Sequence, residues 1–227
     1  MRLSPSTKLG IIAFLLVDVA LAIVLISLYT AREDRALQTE LREIGSTIYA
    51  DSFKLSNFSL IDQDNNQFSN VNFTGNWNLV FFGFTSCPDI CPITMAELDR
   101  LSRQWDERTS GELPRVIFAT VDPDTDTPER MKEYLEDFNP EFIGLTGNRS
   151  SLARFADELF VAFGESEKTE LQLSEHSMHN NPANASDYVI DHSSHISVID
   201  PNGDLLAVMR PPHRAKDILE SLRLITQ

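Results

Sequence analysis

Cysteine is nearly absent from this chain: two occur in 227 residues, at positions 87 and 91. So close a pair cannot build the multi-bridge framework of a small secreted scaffold, and a single thiol pair is left to explain. Cations are scarce too, with 19 Lys and Arg against 34 Asp and Glu and a formal net charge of -15. That balance argues against a nucleic-acid phosphate backbone as a partner and predicts repulsion from anionic lipid. No internal repeat is visible, and the length suits one anchored globular domain with a proper core.

What is present begins with one long apolar run. Residues Gly10 to Tyr29 are apolar except for Asp18, and at the helical rise they span about 30 Å, the thickness of bilayer hydrocarbon. The run reads as a transmembrane helix. A cleaved signal peptide is the rival, but its apolar core usually has about 7–15 residues, and no A-x-A-like site follows in Ser27-Leu28-Tyr29-Thr30-Ala31. Orientation is not set by charge, because Arg2 and Lys8 on one side are matched by Arg32 and Arg35 on the other. Asp18 either faces a partner helix or is simply tolerated at a cost of about 3 kcal/mol. The expected organisation is an N-terminal cytoplasmic segment at 1–9, an anchor at 10–29, a stalk at 30–52 with Leu37, Leu41 and Ile44 at helical spacing, and a globular domain at 53–227.

Within that domain, Phe58 to Ile61 and Gln67-Phe68 flank the turn-rich Asp62 to Asn66, which predicts a β-hairpin. Asn78 to Phe84 and Val116 to Val121 are short continuous apolar runs, the pattern of strands buried on both faces. Met95, Leu98, Leu101 and Trp105 recur at helical spacing from Pro92, and further helices are predicted from Pro128 to Phe138 and from Arg149 to Phe160. Phe142 to Leu145 is a weaker strand between them. This alternation predicts an α/β fold with parallel pairing and helices on the sheet faces. Ser166 to Asp187 is a long polar insertion, a candidate functional loop. Strands at His195 to Ile199 and Leu205 to Met209 then surround the turn Asp200 to Gly203, and a helix from Arg214 to Ile225 closes the chain.

Cys87-Pro88-Asp89-Ile90-Cys91-Pro92 falls where a buried strand turns into a helix. Pro92 suits the first helical position, which would make Cys91 the cap and leave Cys87 on the preceding loop. Both sulfurs would then face the positive end of the helix dipole, an environment that favours thiolate. Such a pair binds a soft ion or closes into a disulfide, and a disulfide across so short a loop contributes little stability. Two thiolates plus one imidazole suit Cu(I). The five histidines are His176 and His179 in the long loop, His192 and His195 near a strand, and His213 before the last helix. Spacing alone does not choose among them.

The run Phe82 to Pro92 resembles the signature of the Sco/SenC copper chaperones. Val121-Asp122-Pro123-Asp124-Thr125-Asp126-Thr127-Pro128-Glu129 is similar to that family's D-P-x-x-D-T-P run, and Tyr188-Val189-Ile190-Asp191-His192-Ser193 to its D-H-S/T segment. The resemblance covers about Phe53 to the C-terminus, in the family's order. It implies a thioredoxin-like fold with an N-terminal β-hairpin, and copper, as Cu(I) and in some states Cu(II), held by Cys87, Cys91 and His192. It also implies work on the dinuclear CuA centre of cytochrome c oxidase subunit II, exchange with other copper chaperones, and a place in the cytoplasmic (inner) membrane with the C-terminal domain in the periplasm.

Asp122, Asp126 and Asp191 are candidates to accept the second ring N–H of a ligating histidine, while Thr127 suits the cap of the helix that Pro128 opens. His195, three residues after His192, falls on the opposite face of a strand and is not expected as a co-ligand. His176, Met178 and His179 either reach the copper or belong to a solvated loop. Two functions follow from the resemblance: a metallochaperone, and a thiol-disulfide reductase that keeps the CuA cysteines reduced. A redox or copper sensor is a further alternative. No proline precedes Ile196 where thioredoxin-type oxidoreductases carry their cis-proline, and His192 lies in that region instead, which favours metal handling.

Overall fold

The computed structural model describes residues 5–105, 112–167 and 188–226. The chain divides into two units, residues 1–43 and 44–227. The first contains helix α1 (Pro5–Glu43), part of which is long and apolar enough to cross a membrane. It runs on past Tyr29 because Arg32 to Glu43 contains neither proline nor glycine.

The second unit is built on a mixed sheet. Its strands are β1 (Ser46–Lys54), β2 (Leu60–Asp62), β3 (Gln67–Phe68), β4 (Asn78–Gly83), β5 (Arg115–Thr120), β6 (Ile143–Thr146), β9 (Ile196–Ile199) and β10 (Asp204–Met209). Between β6 and β9, strands β7 (Phe163–Glu167) and β8 (Tyr188–His192) form a separate antiparallel pair. The main sheet runs in the order β1-β10-β9-β4-β5-β6-β2-β3. β4, β5 and β6 are parallel, as the strand-helix alternation predicts, and β9 joins β4 antiparallel. The predicted hairpin is β2–β3, with Leu60 opposite Phe68.

Helices α2 (Ile90–Gln104), α3 (Pro128–Glu136), α4 (Arg149–Glu158) and α5 (Ala215–Ile225) complete the unit. Alternate side chains of β4 enter opposite cores. Leu79 and Phe81 pack with Met95 and Leu98 of α2, Met131 and Leu135 of α3, and Ile218 and Leu222 of α5. Val80 and Phe82 pack on the other face with Leu152 and Phe155 of α4. Burial on both faces explains why β4 reads as an unbroken apolar run.

Two boundaries differ from expectation. The strand content of the globular unit begins at Ser46 rather than near Phe53, inside the segment expected to be a stalk. β1 pairs antiparallel with β10 from Ser46 opposite Met209 to Lys54 opposite Asp204, with a register shift between Ile48 and Phe53. The polar insertion is flanked by β7 and β8, neither of which its composition suggests. Its residues 168–187, including His176, Met178 and His179, lie outside the described residues.

Candidate functional site

Parallel pairing places the C-terminal ends of β4 and β5 side by side, Gly83 opposite Thr120. The loop after β4 carries Cys87, and the loop after β5 carries Asp122 to Thr127. β9 enters antiparallel, with Ile196 opposite Phe81, so the backbone that descends from His192 reaches the sheet at this same end. Open α/β sheets place their sites at such an edge.

Both cysteines are thiols outside any disulfide, Cys87 half-buried and Cys91 fully buried. Cys91 is not the cap. Helix α2 starts at Ile90 with Asp89 as N-cap, so Cys91 is its second residue and Pro92 its third. Pro92 still costs no helical hydrogen bond there, because the N–H groups of the whole first turn lack intrahelical partners. The thiolate expected from the helix dipole is also not what this site favours at Cys91. Its thiol hydrogen-bonds to Cys87, which, followed by burial, pushes its pKa well above the usual thiol range. A backbone hydrogen bond with Phe84 works the other way, and the Asp126 charge adds to the rise. Without metal, then, the proton is held on the buried sulfur.

Cys91 is also fixed in place. A Cβ on Gly83 would stand 2.8 Å from its sulfur and 2.7 Å from the Phe118 ring, so only glycine fits at the end of β4. Cys87 begins the exposed corner of the loop, its amide donating to the Phe84 carbonyl at 3.1 Å.

Asp126 organises the loops. Its fully buried carboxylate accepts from the Thr85 amide at 3.0 Å, the Thr85 hydroxyl at 2.5 Å and the Thr120 hydroxyl at 2.6 Å. Burial raises its pKa and those hydrogen bonds oppose the rise. Asp126 therefore joins the cysteine loop to β5, whereas Thr127 caps α3 as expected, accepting from the Arg130 amide at 3.3 Å. Asp122 is buried, its amide held by the Thr120 hydroxyl at 2.9 Å, and its Oδ1 has no hydrogen-bond partner among the described residues.

Arg130 was not legible as a site residue. Its Nε donates to the Thr85 hydroxyl at 2.7 Å and its Nη2 to the Ser86 hydroxyl at 2.8 Å, while Nε lies 3.9 Å from Asp126 Oδ1. A helical spacing of four from Asp126 was the only trace of this in the sequence. A cavity of about 510 Å³ between the loop and α3 is lined in part by Thr85, Arg130 and Tyr134. The Tyr134 hydroxyl is buried without a partner among the described residues, and burial, then the nearby Cys91 and Cys87, push its pKa up.

His192 ends β8, its backbone paired with Phe163, and Asp191 pairs with Gly164. The side chains of both lie outside the described residues. The strap from Ser193 to His195 is held at several points. The Ser193 amide donates to the Ala162 carbonyl at 2.9 Å, and ring Nε2 atoms of His195 and His213 meet the carbonyls of Leu159 at 3.0 Å and Ser194 at 2.7 Å. Burial lowers the pKa of both rings. His195 is thus engaged with the C-terminal end of α4. The cis peptide bond among the described residues joins Pro211 to Pro212, just before His213 rather than before β9.

A mixed sheet with paired cysteines where its central strand meets a helix defines a thioredoxin-like protein. Within that class the SCO1/SenC family model matches residues 48–227, and the chain belongs to that family. It is 35% identical over 218 residues to a SCO2-like protein of Rickettsia prowazekii, covering 96% of each chain. Among solved structures it is similar to Arabidopsis thaliana ScoI with copper bound, at 29% identity and a TM-score of 0.64, covering 76% of this chain and 98% of that one. Bradyrhizobium japonicum ScoI with copper bound is similar at 27% identity and a TM-score of 0.59, covering 74% and 96%.

Proposed function

We propose that this protein is a membrane-anchored copper carrier that holds one copper through Cys87, Cys91 and His192 and passes it to the CuA site of cytochrome c oxidase subunit II. The observation that carries the reading is the adjacent, hydrogen-bonded dithiol itself. One sulfur is rigid and buried, the other is half-open to solvent, and the two are in hydrogen-bond contact. Two soft donors already side by side suit Cu(I), which favours thiolates and low coordination number. Copper binding replaces the shared proton, so metal capture releases protons and weakens as pH falls. The imidazole of His192 is the third donor in this reading, and Asp122, Asp126 and Asp191 are the candidates to accept its second ring N–H. The copper-bound relatives support the cargo, and the family resemblance supports the oxidase as recipient.

The second reading is a reductase that keeps the CuA cysteines reduced, and the same dithiol favours it. His192→Ala separates the two. For a carrier, the variant loses one of three ligands and should bind Cu(I) at least about tenfold more weakly in competition with a chromophoric chelator, while its dithiol potential changes little. Cys87→Ser and Cys91→Ser should abolish both properties. Cu(I) affinity unchanged in His192→Ala would defeat the ligand assignment. Lost affinity with full oxidase assembly at ordinary copper levels would replace the carrier by the reductase.

A further inference from the structure

We infer that Arg130 is a positioning residue that holds the cysteine loop in its open dithiol form and so opposes closure of the Cys87–Cys91 disulfide. Three observations carry this. Cys91 is the more confined of the pair, because it is fully buried with its sulfur packed against Gly83 and it stands in the first turn of α2. The approach from hydrogen-bond contact to a bond of about 2.05 Å therefore falls mainly to Cys87. Cys87 directly follows the two residues that the Arg130 guanidinium grips, Thr85 through Nε at 2.7 Å and Ser86 through Nη2 at 2.8 Å.

The grip is anchored on both sides. Arg130 stands in the first turn of α3, whose cap and proline fix its backbone. Thr85 is in turn bound by amide and hydroxyl to the buried Asp126. Ser86 has no such second hold from Asp126, so Arg130 is what ties the exposed part of the loop to α3. Oxidation joins the two sulfurs with loss of two protons and two electrons, and a thiol-disulfide couple such as glutathione accepts the electrons as its own disulfide is reduced. Moving Cys87 inward strains or breaks the Ser86 contact, so the contact weighs on the dithiol side of that exchange.

This inference depends on the dithiol but not on copper, so its failure and that of the copper reading appear in different experiments. The full chain in detergent, stripped of metal by a chelator, is equilibrated in glutathione redox buffers and its free thiols counted. Arg130→Met should shift the equilibrium about tenfold toward the disulfide, about 30 mV for this two-electron couple. Arg130→Lys, which reaches one hydroxyl but not both, should recover part of the shift. Ser86→Ala should shift it about threefold in the same direction, and adding it to Arg130→Met should give no further change, because Arg130→Met already removes the Ser86 contact. A structural role alone would lower the unfolding midpoint without this pattern. An unchanged equilibrium, a shift toward dithiol, or additive effects in the double variant would overturn the inference. Should Arg130→Met fail to fold, the exposed Ser86→Ala decides alone, and an unshifted equilibrium in it is equally fatal.

Discussion

The chemistry at single residues depends on which atoms are free to move. Gly83 is the clearest case, since its missing side chain is the space in which the Cys91 sulfur and the Phe118 ring sit. Gly83→Ala should destabilise the globular unit by about 1–3 kcal/mol, the usual cost of overpacking a core. Gly144→Ala is the control. Its added methyl would meet the Met131 and Leu135 side-chain ends at 2.9 and 3.0 Å, flexible atoms that can give way. Urea unfolding of both variants checks the point, and a Gly83→Ala no less stable than Gly144→Ala would show that Cys91 is not fixed in the way described. The cysteines themselves were legible from their place between a buried strand and a helical repeat. Their protonation was not. A dipole acting on an isolated sulfur favours thiolate, but the neighbouring sulfur and burial outweigh it at Cys91, and neither is visible in a spacing. Thr127 could be read because a cap and Pro128 are local signals, whereas the Arg130 contacts join residues more than forty positions apart.

At the level of elements, the core strands were plain and the peripheral ones were not. β4 and β5 are apolar throughout because both faces are covered. β1 lies at the sheet edge, and its pattern of half-buried and exposed residues, with Asp51, Ser52 and Lys54 among them, resembles a polar stalk. It is nevertheless part of the sheet: Ile48 lies opposite Ala207, and the Ser46 hydroxyl meets that of Ser221 in α5 at 2.6 Å. A fragment starting at Ile44 should therefore fold as a soluble monomer. A fragment starting at Phe53 loses most of β1 and should be less stable by about 3 kcal/mol, taking about 1 kcal/mol for each of the few ladder hydrogen bonds removed. It should also self-associate, because β10 becomes an open edge. Equal stability of the two fragments in urea, both monomeric by light scattering, would return residues 44–52 to the stalk. β7 and β8 leave little trace in the sequence for a related reason, since they form a ribbon of only two strands beside a polar insertion.

For the molecule as a whole, charge alone does not decide which side of the membrane carries the globular unit. Arg2 and Lys8 before the apolar run balance Arg32 and Arg35 after it, and the many carboxylates add little, because orientation follows Lys and Arg rather than net charge. The copper delivery proposed above instead requires the domain on the periplasmic side, with residues 1–9 in the cytoplasm and the span at 10–29. The two cysteines make this directly measurable. Cys91 is fully buried and Cys87 is half-buried at the loop corner, so a thiol reagent added to the folded protein reads one position. In cells with a permeabilised outer membrane and intact inner membrane, a membrane-impermeant maleimide added after mild reduction should label the wild-type protein. Cys87→Ser should take no label until denaturant exposes Cys91, since a buried sulfur whose proton is strongly held is a poor nucleophile. Labelling of Cys87 only after the inner membrane is opened would put the domain in the cytoplasm, and with it the recipient proposed for its copper would be out of reach.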